Sequence, residues 1–227
     1  MKIGIVAAMD KEVALILPLM QSAEEIDCEG IKAWTGKISG HEIWLMKCGI
    51  GKVNSAINTY RMIEAFHPGL IINSGVAGGA DASMKVGSVL IATQAAYHDV
   101  WCGPGTEWGQ MQGFPRRFDM DADVVEKCRR SDDAANLRFG LIASGDKFIS
   151  TVEEIEHIKS VYPDALACDM ESASIAQTCH LFKVPFAVIR VVSDTPGQAD
   201  NLSQYENFFS EAPEKTFRLI RSLLEAL

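Results

Sequence analysis

Short, uninterrupted apolar runs recur along this chain, and they restrict its fold more than any other feature. Lys2 to Ala7 and Pro185 to Val192 are rich in Ile and Val and lack the polar alternation of a strand with one wet face. Runs of this kind belong to strands buried on both sides, as in a parallel or mixed sheet covered by helices. Leu70 to Asn73, Val86 to Ala92 and Leu137 to Ala143 read as further strands, and Ile31 to Ser39 and His41 to Cys48, split at Gly40, as antiparallel neighbours. Helices fill the intervals. One is N-capped by Asp10 and reaches Leu17 before Pro18; others span Lys52 to Phe66 and Asp121 to Ser131, start after the N-cap Thr151, and run from Ser172 to about Leu181. A last amphipathic helix is expected from about Gln204 to Leu227. This order predicts α/β architecture with a central mixed sheet flanked by helices. The 227 residues, 48% of them hydrophobic, suit a single domain spanning 1–227.

A net charge of −9 argues against nucleic acid or an anionic membrane as partner and leaves a neutral or cationic small molecule open. The apolar start, Ile3 to Met9, meets Asp10-Lys11-Glu12 too soon for a signal peptide, and no apolar run is long enough to span a bilayer. The six cysteines show no C-x-x-C pairing and read as reduced, mostly buried thiols, so a cytoplasmic location is expected. His41, His67, His98, His157 and His180 lack ligand spacing, so no metal site is expected.

The candidate chemistry lies in acids at strand ends. Asp194 closes the Pro185 strand, Asp169 and Glu171 flank Met170 before a helix of small residues, and Glu12 follows the first strand. Open α/β sheets hold ligands at such carboxyl ends. Taken singly, Glu12 reads equally as an acid complementing a helix dipole. Ser74-Gly75-Val76-Ala77-Gly78-Gly79 reads as a backbone stretch able to present N–H groups to a ligand, without dinucleotide spacing. Gly49-Ile50-Gly51-Lys52 is no Walker loop. Phe148 is either core or a ring positioned to stack. The aromatic stretch from Val100 to Met120 reads as a subunit contact edging the pocket, with a self-packed loop as the alternative. Together the acids suit cleavage of an N-glycosidic bond, which needs a proton for the leaving base, support for an oxocarbenium-like ribose, and a carboxylate to deliver water.

Ile5 to Glu12, Gly49 to Val53, Ile72 to Gly79, Ser144 to Ile149, Asp169-Met170-Glu171 and Val192-Ser193-Asp194 together resemble the motifs of the 5′-methylthioadenosine/S-adenosylhomocysteine nucleosidases, in that family's order and spacing. The resemblance implies a three-layer αβα sandwich of the nucleoside phosphorylase type, a homodimer, no cofactor and a place in methionine salvage. It implies that Glu12 activates water and that Asp194 protonates adenine at N7. Glu171 matches the ligand of the ribose hydroxyls, with Met170 beside the sugar. Phe148 matches the ring on adenine, the Ile149 backbone the group reading its edge, and Ser193 the support of Asp194. Ile50, Val76, Ala77, Gly78 and Tyr205 complete the expected substrate site. Val76 stands where many relatives carry Ser, and the 101–114 loop, which lines the partner's 5′-alkylthio pocket in that family, differs in composition. Arg190, in an apolar strand, is expected to pair with Glu171 or Asp169. The competing readings are a nucleoside phosphorylase, a hydrolase of futalosine or aminodeoxyfutalosine, and a non-catalytic nucleoside sensor.

Overall fold

The computed structural model describes residues 1–28, 30–211 and 221–225. Ten strands form one mixed sheet: β1 (Lys2–Ala7), β2 (Gln21–Cys28), β3 (Ile31–Ile38), β4 (His41–Lys47), β5 (Leu70–Gly79), β6 (Val89–Tyr97), β7 (Phe118–Asp119), β8 (Leu137–Ser144), β9 (Ala165–Asp169) and β10 (Phe186–Asp194). The helices are α1 (Asp10–Ile16), α2 (Lys52–Phe66), α3 (Ala122–Arg130), α4 (Val152–Val161), α5 (Ser172–Phe182) and α6 (Asn201–Glu211).

The sheet runs β10-β6-β8-β9-β5-β1-β4-β3-β2, and β10 also pairs with β5. Five strands therefore close into a ring, from which β1 and the antiparallel β4-β3-β2 extend. The β1 and β10 strands both lie parallel to β5, so their carboxyl ends emerge together.

Alternation along β1, β5 and β10 sends neighbouring side chains into two different cores. Val6, Ile71 and Val188 face α2 and α5, where they meet Met62, Phe66, Ile175 and Cys179. Ile5, Ile72 and Ile189 face the opposite way, toward Val13 and Ile16 of α1, Val124 of α3 and Phe208 of α6. Burying each such Ile contributes about 1.5–3 kcal/mol. The small residues of α5 let it approach α2 closely enough for Ser174 Oγ and Ser55 Oγ to hydrogen-bond at 2.6 Å.

Several local expectations are corrected. Asp10 lies inside α1 and Met9 is its N-cap, because the Glu12 carboxylate accepts the Ala8 and Met9 N–H groups and does the capping work itself. The strand expected to end at Asn73 runs on, so the stretch Ser74 to Gly79 is the second half of β5, buried throughout, and its glycines have no positive φ. The β6 strand starts at Val89 rather than Val86, whereas Asp194 closes β10 as expected. The short β7 strand and β9 carry no strand signal in the sequence, and the signal of β2 is masked by its exposed acidic edge, with Glu24, Glu25 and Asp27. Such charges protect an edge from further pairing. The last helix opens earlier than expected, at Asn201; 221–225 is helical, and 212–220 and 226–227 lie outside the described residues. Among the described residues, no helix is long and apolar enough to cross a membrane.

Candidate active site

The carboxyl ends of β1, β5, β9 and β10 surround one cleft with about 560 Å³ of empty space, its mouth included, a size suited to a small organic ligand. Every site residue expected from the sequence lines it except Arg190, which lies beneath its floor. Ala8, Met9, Lys147, Cys168 and Asp169 line it too.

Glu12 reaches the cleft because α1 turns back immediately after β1. It is 1% exposed, yet its oxygens are well supplied: Oε2 accepts the Ala8 and Met9 N–H groups at 2.8 and 3.0 Å, and Oε1 accepts the Val76 N–H at 2.9 Å. Burial raises its pKa above the usual carboxylate range, while the Arg190 charge and these N–H groups limit the rise.

Arg190 gathers the acids. It is 1% exposed, and its Nη2 lies 2.6 Å from Asp169 Oδ2 and 3.4 Å from Glu171 Oε2, with Nη1 3.9 Å from Glu12 Oε1. Nη2 also donates to Asn73 Oδ1 at 2.7 Å. The expected pairing is thus met by Asp169 first and Glu171 second. Asp169 in turn accepts the Ser144 and Ser172 hydroxyls, each at 2.5 Å. A buried ion cluster holds only when its remaining lone pairs are satisfied this way.

Glu171 accepts the Gly51 N–H at 3.0 Å, which brings the β4–α2 turn to the cleft. Burial pushes its pKa up to about 7; Arg190 opposes that shift and the neighbouring Asp169 adds to it. Asp194 is reached through a register shift between Val192 and Asp194, a bulge that turns both Ser193 and Asp194 toward the cleft. Ser193 Oγ donates to Asp194 Oδ1 at 2.6 Å and Asn201 Nδ2 to Oδ2 at 2.5 Å. Burial lifts this acid as well, and the two hydrogen bonds offset part of the lift.

At the mouth, Phe148 is 40% exposed and faces the Tyr205 ring at 5.5 Å, and Tyr205 Oη reaches Met9 Sδ at 3.2 Å. Four carboxylates line the cleft and Lys147, the cation among its lining residues, pairs with Glu154. A lining of this kind, with its lysine already paired and Arg190 tied to the acids beneath, suits a neutral ligand or one that develops positive charge. Sequence reasoning missed Asn73, Ser144 and Ser172, which satisfy the ion cluster, and Asn201. Asn73 had a signal: a polar side chain within a run otherwise buried on both faces.

A profile of the Phosphorylase superfamily matches residues 2–225. The chain is 40% identical to the 5′-methylthioadenosine/S-adenosylhomocysteine nucleosidase of Staphylococcus haemolyticus, over 99% of this chain and all of that one. It superposes with a TM-score of 0.94 on the nucleosidase of that name from S. pneumoniae, which holds a transition-state inhibitor; the two are 37% identical and the match covers 100% and 99% of the chains. The corresponding protein from Colwellia psychrerythraea, solved with adenine, is 32% identical with a TM-score of 0.93 over 100% and 96% of the chains.

Proposed function

This chain belongs to the 5′-methylthioadenosine/S-adenosylhomocysteine nucleosidase family of the Phosphorylase superfamily, and from that premise we propose that it hydrolyses the N-glycosidic bond of both nucleosides, releasing adenine and the corresponding thioribose. The observation that carries the reading is the pair of buried acids on one cleft, Glu12 and Asp194.

Their roles differ with their surroundings. Glu12, aimed by three backbone N–H groups, takes a proton from water as its oxygen attacks the anomeric carbon. Asp194 gives its proton to N7 as the bond from the sugar to N9 breaks, and the bonding electrons leave with adenine. Glu171 accepts the ribose hydroxyls, with Met170 beside the sugar. Phe148 stacks on the base, the Ile149 backbone reads its edge, and Ser193 supports Asp194. Ile50, Val76, Ala77, Gly78 and Tyr205 shape the remaining walls. The acid-lined cleft disfavours phosphate as nucleophile, which supports hydrolysis over phosphorolysis. The reaction as drawn needs only side chains and water.

Residues 1–227 act as one nucleosidase domain in a cytoplasmic homodimer, clearing by-products of S-adenosylmethionine use. Support for the dimer is the exposed apolar stripe Val53, Ile57 and Tyr60 on α2, with Phe182 of α5 packed 5.0 Å from Tyr60.

Adenine release from each nucleoside, with and without phosphate, tests the reading. Release without phosphate, yielding free thioribose, is expected. Release only with phosphate makes the protein a phosphorylase, and turnover of aminodeoxyfutalosine alone moves it to that substrate.

A further inference from the structure

This inference rests on the reading of Asp194 as the acid that protonates adenine. Asn201 lies outside the set of residues assigned to the site, yet it is 4% exposed although it opens α6. Its Nδ2 meets Asp194 Oδ2 at 2.5 Å, while its own Oδ1 has no hydrogen-bond partner among the described residues. Leaving a buried carbonyl unsatisfied is costly, so the contact that holds this amide in place is the one to Asp194. The same first turn of α6 grips the end of β10 a second time, with Gln204 Oε1 accepting the Thr195 N–H at 2.8 Å, and it carries Tyr205 to the cleft mouth.

We propose that Asn201 is a positioning residue for the acid step. By donating to Oδ2, it makes that oxygen the carbonyl-type oxygen of neutral Asp194 and so leaves the transferable proton on Oδ1. When the Oδ1–H bond breaks and the N7–H bond forms, the same amide stabilises the carboxylate left behind. Ser193, whose hydroxyl rotates, follows the change on Oδ1. Glu12, Asp169 and Glu171 share the cleft with Asp194, and of the other groups its charge reaches, Cys168 of β9 and Tyr205 of α6 are both pushed upward by burial and both neutral near pH 7. Asn201 is the neighbour from another element that hydrogen-bonds the acid directly.

The test is the pH dependence of kcat for methylthioadenosine in wild type, Asn201→Ala and the similarly sized, uncharged Asn201→Leu, the last serving if the alanine variant does not fold. Expected is a loss of about 10- to 100-fold in kcat at neutral pH with KM within about threefold, and an alkaline limb displaced to higher pH, because a donor to the carboxylate has been removed. An alkaline limb that stays at the wild-type position, whatever happens to the rate, overturns the proposal and leaves Asn201 as a helix-start contact. Failure of the wild type itself to release adenine refutes the reading of the site instead.

Discussion

Gly75 and Glu12 are packed so closely that a Cβ on Gly75 would stand under 3.0 Å from Glu12 Oε1, and equally close to Arg190 Nη1. Gly75 pairs with Arg190 across β5 and β10, so the absent side chain is what lets carboxylate and guanidinium meet over the strand. Gly75→Ala is predicted to lower stability by about 1–3 kcal/mol through overpacking. Because the displaced group is Glu12, kcat should fall by about 100-fold or more. Thermal melting and adenine release measured on the same preparation check both, and wild-type turnover would show that Glu12 tolerates displacement.

The acid and the base impose opposite pH demands. Both carboxyls are raised by burial. Glu12 acts ionised, so rate falls as pH drops below its pKa; Asp194 acts protonated, so rate falls as pH climbs above its own. A bell-shaped profile is predicted. Asp194→Asn should lose about 10²–10⁴-fold in kcat and also the alkaline limb, with ligand affinity largely kept. Wild-type-like turnover from that variant would remove Asp194 from the mechanism.

The contrast between Glu12 and Asn201 marks how much was legible in the sequence. The strands and the acids at their ends could be read because continuous apolar runs and their punctuation are local signals. The closed ring could not, since the pairing of β10 with β5 joins distant segments. The Ser74 to Gly79 stretch misled because glycine usually marks turns, whereas Gly75 serves close packing within a strand. Asn201 sits in a polar stretch, and only the folded chain shows it buried against Asp194.

Arg190 is the cation that binds the buried acids together, so its removal should be severe. Arg190→Ala leaves Asp169, Glu171 and Glu12 facing one another without a counter-charge. A loss of about 3–5 kcal/mol is predicted, together with weaker binding of ribose-containing ligands through Glu171. Denaturant unfolding and inhibitor titration check the two effects. Unchanged values for both would mean that the cluster contributes nothing.

Glu171 links stability to pH. Its folded pKa of about 7 lies above the ordinary 4.5, so the folded state holds its proton more tightly than the unfolded chain. The stability this group contributes is fully present below about pH 4.5 and is lost as pH rises through about 7. Glu171→Gln removes that loss. In the ligand-free protein, the variant's Tm relative to wild type should therefore climb between pH 4.5 and 8, while its KM for the nucleoside rises at every pH. A pH-independent Tm difference would contradict the assignment.

On α2, Val53, Ile57 and Tyr60 recur at helical spacing on the side away from the sheet and are 68%, 49% and 42% exposed. An amphipathic helix inside a monomer turns such a stripe inward; here the inner face is already filled by Met62, Ile63 and Phe66. The stripe therefore has apolar area to bury against a second copy, and Phe182 at the end of α5, packed against Tyr60, widens it. Ile57→Glu places a charge at its centre, where burial without a partner is costly. Sedimentation should show a dimer for wild type and a shift toward monomer for the variant, with adenine release falling alongside if the partner's 101–114 loop completes the cleft. A wild-type monomer at working concentration would overturn the assembly, and a monomeric variant with full activity would show that each cleft is complete within one chain.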